Sequence, residues 1–174
     1  MLYDIVIPVG SQDINLLATL LVNTFLTNKN IKDYNNIYII HPENLIPTIP
    51  SPLSDQVTCI VESIFPFQKK DMPSQKRKGW YLQQLLKLYA GQIIPNILPT
   101  YLVIDADCFF LKPMSFISKN NKLCYDIGEE YHLPYFIYQY NLCSKLDKKS
   151  KYSGIVHHMI FHQPWTKKLF AMVE

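Results

Sequence analysis

"YLVIDADCFFLKP", Tyr101–Pro113, places two carboxylates between two apolar runs. "TYLVID" reads as a central strand, and the chain turns apolar again from Cys108 through Leu111. A buried carboxylate pair repels itself and loses hydration, so a cation or strong donors must compensate. At i and i+2 on a strand end, Asp105 and Asp107 are expected to point to one side and face a single divalent ion. Hard oxygen ligands suit Mg2+ or Mn2+, which keep positions open for substrate phosphates. The plain alternative is a solvated turn, since D-x-D recurs by chance.

Outward from this stretch, strands and helices alternate. "YDIVIPV" (Tyr3–Val9) reads as a strand, Gly10-Ser11 as a turn with Ser11 as N-cap, and Gln12 to about Leu26 as a helix with Ile14, Leu17, Leu21 and Phe25 at helical spacing. "NIYIIH" (Asn36–His41) and "QVTCIV" (Gln56–Val61) are short enough for buried strands, joined by a proline-rich connector. Glu62 to Lys78 reads as loop.

Gly79 to Tyr89 returns to helix on the stripe Leu82, Leu85, Leu86 and Tyr89, with Gly91 placed to cap its C-terminus. At about 100° per residue, Trp80, Gln84 and Lys87 share the opposite face. Beyond the carboxylates, "KLCYDI" (Lys122–Ile127) predicts another strand and Glu130–Cys143 an irregular aromatic helix or loop. Ser153–His162 predicts a last strand, and Pro164 opens a terminal helix. Ile- and Val-rich strands alternating with helices predict an α/β domain, a mostly parallel sheet with helices on both faces. Ligands of such sheets bind beyond the carboxyl ends of the strands, where Asp105 and Asp107 stand.

The 174 residues suit one domain, and 48% hydrophobic against 18% charged residues excludes a disordered chain. No apolar run approaches the ~20 residues of a membrane helix, and "MLYDIVIPV" lacks a signal peptide's basic region, so a soluble cytoplasmic protein is expected. Cys59, Cys108, Cys124 and Cys143 form no C-x-x-C pair and read as reduced core thiols. Of the 17 basic residues all but Arg77 are lysine. Lys69, Lys70, Lys76, Arg77 and Lys78 cluster without an RNA-binding aromatic signature, which argues against nucleic acid and for a solvated loop.

Two enzyme classes set D-x-D after a hydrophobic strand. Haloacid-dehalogenase-type phosphatases carry Thr or Val two places after the second Asp and hold the motif near the N-terminus; here that place is Phe109 and the motif is mid-chain. GT-A glycosyltransferases place the motif after a nucleotide-binding half domain of about this size. "DIVIPVG" resembles their first strand, and "YLVIDADCFFLKPMSF" resembles the D-x-D strand of glycogenin-like sugar transferases. "RKGWYLQQLLKLYA", "DADCFFLKP" and "SGIVHHMIFHQ" together are more similar still to the GT-A-like DUF6492 family.

The resemblance implies a nucleotide-diphosphate-sugar donor, a divalent metal (Mn2+ or Mg2+) and sugar transfer to an unknown acceptor. It implies Asp107 as a direct ligand and Asp105 as sharing the ion or holding the donor ribose. Arg77 would fork to phosphate oxygens or stack on the base, the other reading being a surface residue. Gln84, preferred to Gln83, and Trp80 would wall the donor, and Pro8, Val9 and Gly10 would line the base. Related enzymes use a late His as a metal ligand. Adjacent strand residues face opposite sides, so one of His157 and His158 is expected to reach the metal, and His158 is preferred. Glu129 and Glu130 read as solvated, which leaves no catalytic base assigned.

Family members usually continue beyond the "HHM" strand. The expected organisation is therefore a single GT-A-like nucleotide-sugar-binding domain over 1–174, lacking part of the usual C-terminal acceptor region and able to act as a homo-oligomer. The alternative is a truncated, non-catalytic nucleotide-binding or interaction module.

Overall fold

Period-two alternation in three strands divides the interior into two cores. Ile5 and Ile7, Ile37 and Ile39, and Leu102 and Ile104 pack into one; Val6, Tyr38 and Ile40, and Tyr101 and Val103 pack into the other. A computed structural model describes residues 1–73 and 76–173. Its sheet has five strands: β1 (Tyr3–Pro8), β2 (Tyr34–His41), β3 (Val57–Val61), β4 (Thr100–Ile104) and β5 (His158–His162). Their order is β3-β2-β1-β4-β5. The first four run parallel and β5 lies antiparallel on β4.

Among the described residues there are four α-helices: α1 (Ile14–Leu21), α2 (Lys78–Ile93), α3 (Leu133–Leu142) and α4 (Gln163–Val173). Helix α1 runs into a π-helical turn, Val22–Thr27, and buries Leu17, Leu20, Leu21 and Phe25 in the first core. Helix α2 buries Leu82, Leu86 and Ala90 in the second. Burying apolar side chains on both faces is the main term holding such a sheet. The expected α/β architecture, mostly parallel and covered on both faces, is the one observed.

Several local expectations are corrected. The first helix begins at Ile14 with Asp13, not Ser11, as N-cap, and the Asp13 side chain makes no capping hydrogen bond. Lys122–Ile127 is not a strand; it makes one isolated bridge, Leu123 with Ile117. The free edge of β4 is instead taken by β5, which leaves Tyr125 and Ile127 exposed. The last strand starts at His158 rather than Ser153. Cys59 and Cys124 are exposed rather than core thiols, although all four cysteines are free. Among the described residues no helix is long and apolar enough to cross a membrane.

Gly91 is not a cap, because α2 runs on to Ile93. A Cβ built at Gly91 would lie 2.6 Å from Cε1 of Tyr101, a fully buried side chain, so glycine is there to admit the ring. Gly91→Ala should therefore destabilise the fold by about 1–3 kcal/mol, an overpacking effect, read as a lower urea midpoint with unchanged m-value.

Candidate functional site

Parallel strands end on one edge, so β1, β2, β3 and β4 deliver Pro8, His41, Val61 and Asp105 to the same side of the sheet. A cleft of about 520 Å³ opens there. Pro8, Val9 and Gly10 form its floor, and Lys69, Lys76, Arg77 and Lys78 bring cations from the loop and the start of α2. The N-terminus of a 16-residue helix adds its own partial positive charge, so this wall suits an anion. The basic segment therefore faces a cleft instead of forming only a solvated loop.

Trp80 lines the cleft and stacks on Tyr135 of α3, with centroids 5.9 Å apart and 22° between planes. Gln84 does not line it; Gln83 does. Burial of Leu86 fixes the rotation of α2. At the helical pitch Gln83 then lies about 60° from Leu86 and Gln84 about 160° away.

The expectation that Asp105 and Asp107 project together from a strand end needs correction as well. Strand β4 stops at Ile104, and a turn follows in which the Cys108 N–H donates to the Asp105 carbonyl at 3.1 Å. Asp105 is mostly buried and Asp107 exposed. Lys87 of α2, only 12% exposed, donates to Asp105 Oδ1 in an ion pair. His157 Nδ1 lies 3.2 Å from Asp105 Oδ2, and the Asp105 N–H donates to the His157 carbonyl at 3.0 Å.

The histidine preference is thus reversed. His157 is the one beside Asp105, with its ring 80% exposed. His158 is the first residue of β5, and its register opposite Ile104 turns its ring into the core, edge-on to Phe110 and Phe116. Its Nε2 lies 3.4 Å from Asp126 Oδ2. Burial pushes the His158 imidazole below its ordinary value, outweighing the opposing pull of Asp126.

Asp13 joins the cleft to the D-x-D turn. It lines the cleft, and its carboxyl is raised first by burial and then by repulsion from Asp107 and Asp105. Cys108 lies on the other side of the pair, its thiol pushed up to about 12 by burial, then by the charges of Asp105 and Asp107. Donor atoms of Asp105, Cys108 and His157 all lie within 4.8 Å of one another, so the local donor set fits a divalent cation.

Sequence reasoning passed over Gln83 in favour of Gln84 and assigned no site role to Lys87, Asp13 or Cys108. Lys87 had a signal, its place on the helix face shared with Trp80. Asp13 had only its place just beyond the first strand. A second cavity, about 460 Å³, lies at the opposite edge of the sheet between Tyr3 and Met114, away from these carboxylates.

No curated protein matches the chain. Mouse xyloside xylosyltransferase 1, in its apo form, shares the fold with TM-score 0.50 at 10% identity, over 97% of this chain and 69% of that one. The galactosyltransferase LgtC, in complex with donor and acceptor sugar analogs, gives 0.47 at 12% identity, over 94% and 59%. The apo-form glycosyltransferase GlyE of Streptococcus pneumoniae TIGR4 gives 0.43 at 11% identity, over 98% and 36%. The chain thus spans less than two thirds of the last two. The first likeness is one of fold, which is GT-A-like. In sequence, residues 4–157 match the family described as "Family of unknown function (DUF6492)", from the first strand through the D-x-D turn to His157, and the chain belongs to that family.

Proposed function

We propose that the chain is a glycosyltransferase that takes its sugar from a nucleotide-diphosphate donor and passes it to an acceptor still to be identified. One observation carries the reading: the D-x-D turn stands at the sheet edge beside a cation-walled cleft, with Asp13 facing both. In this reading residues 1–174 form the donor-binding domain. Pro8, Val9 and Gly10 receive the base, while Arg77, Lys78 and the start of α2 receive the diphosphate. Trp80 and Gln83 wall the donor.

Lys87 fixes the Asp105 carboxylate, which in turn holds the donor ribose or shares the ion. Mn2+ or Mg2+, held by Asp107 with Asp105, would neutralise the diphosphate as it leaves. His157 orients Asp105 from the solvent side. Pro42, just after β2, and Glu62 complete the lining of the cleft.

Incubation with a panel of nucleotide sugars and Mn2+, followed by assay for nucleoside diphosphate, tests the proposal. Release with at least one donor is expected, faster when an acceptor is present. Silence with every donor would favour a nucleotide-binding module without turnover.

A further inference from the structure

We infer that Asp105, Cys108 and His157 form a binding site for a thiophilic divalent cation of the Zn2+ class, distinct in its donor set from the Asp105–Asp107 carboxylate pair. The inference shares Asp105 with the functional reading above but does not depend on sugar transfer.

Two backbone hydrogen bonds assemble the three ligands. Cys108 N–H to the Asp105 carbonyl, 3.1 Å, closes the turn that carries the thiol back toward Asp105; Asp105 N–H to the His157 carbonyl, 3.0 Å, holds the histidine beside it. Asp105 Oδ2 and His157 Nδ1 are 3.2 Å apart, and the three donor atoms lie within 4.8 Å of one another. Ligands on one tetrahedral Zn2+, with bonds of about 2.0–2.3 Å, stand roughly 3.3–3.8 Å apart. The oxygen and nitrogen are already near that spacing, and the thiol needs a movement of about 1 Å or less to reach it.

Donor type selects the ion class. Sulfur and imidazole beside a single carboxylate oxygen suit Zn2+ better than the oxygen-seeking Mg2+ or Mn2+. The Cys108 proton passes to solvent as the metal–sulfur bond forms. Lys87 contacts Oδ1 and His157 contacts Oδ2, so an ion on Oδ2 exchanges the His157–Asp105 contact for metal bonds. A fourth position stays open to water, with Asp107 Oδ1 nearby, 3.8 Å from the Cys108 sulfur.

The test uses the whole chain, stripped of metal, without nucleotide, titrated with Co2+ as a spectroscopic probe. A near-ultraviolet thiolate-to-cobalt charge-transfer band with visible tetrahedral bands is expected, and Zn2+ should abolish both. Cys108→Ser should remove the charge-transfer band and weaken Zn2+ at least about tenfold, the lower end of what losing even an outer-shell partner costs a metal site. His157→Gln changes an exposed ring and so preserves the fold; it should weaken Zn2+ as well while keeping some charge transfer. No band with the wild-type chain overturns the inference, as does a band that persists in Cys108→Ser, which would assign it to Cys59, Cys124 or Cys143. Unchanged Zn2+ affinity in His157→Gln overturns it too. Failure of sugar transfer with the band present removes only the proposed function, and transfer without the band removes only this site.

Discussion

Asp4→Ala should remove about 3–5 kcal/mol of stability, a large share of the roughly 5–15 kcal/mol that holds an ordinary domain. Asp4 lies near the start of β1, the central strand, opposite Tyr101, and is fully buried. Its Oδ1 accepts from Asn35 Nδ2 at 2.9 Å and the Asn36 N–H at 3.1 Å, and its Oδ2 accepts from the Leu98 N–H at 2.6 Å. One carboxylate therefore ties the start of β2 and the segment entering β4 to β1.

Alanine leaves these donors without their acceptor, at about 1–3 kcal/mol for each that water cannot reach. Asp4→Asn retains one oxygen but turns an N–H toward Leu98 or toward the asparagines, so it should recover only part of the loss. Urea unfolding of both variants checks this, and a change below about 1 kcal/mol for alanine would contradict the role given to Asp4.

Asp107→Asn should lower nucleoside-diphosphate release by about a hundredfold or more while leaving the melting temperature unchanged. A group that stabilises charge developing in the transition state is worth on that order. The structural side follows from exposure: Asp107 is exposed, and among the described residues its side chain is hydrogen-bonded only by the neighbouring Cys108 thiol, at 3.8 Å. Asp105→Asn should behave differently. It weakens the ion pair with Lys87, which is nearly buried, so stability falls together with turnover. Paired measurements of melting and turnover separate the two aspartates. Equal effects on both would contradict the division of roles.

The sheet was legible because buried strands write their periodicity into the chain. "DIVIP", "NIYIIH" and "YLVI" each feed both cores, and a strand with two buried faces leaves little freedom in what it accepts. Legibility failed where one edge had two claimants. Lys122–Ile127 and Ser153–His162 both read as strands, and nothing local says which of them pairs with β4. That choice also decides the histidines. Once β5 begins at His158, its ring must enter the core and His157 must face the solvent beside Asp105.

Within the site, the placement of Pro8, Val9, Gly10 and Asp105 at one sheet edge followed from the sheet-edge rule, whereas the choice between Gln83 and Gln84 depended on helix rotation. Gln83 and Gln84 differ by about 100° of arc, and only the depth to which Leu86 sinks decides between them. Lys87 was visible as a polar residue on a helix face, but its partner Asp105 is 18 positions away, and such pairings are written in the packing of α2 against β4 rather than in local pattern.

A crystal soaked with Mn2+ and a nucleoside diphosphate tests the central claim most directly. The account predicts an ion bonded to Asp107, with Asp105 at the same ion or on the ribose, the base over Pro8–Gly10 and the diphosphate against Arg77 and Lys78. Ion and nucleotide density elsewhere, for instance in the cavity between Tyr3 and Met114 at the opposite edge of the sheet, would contradict it.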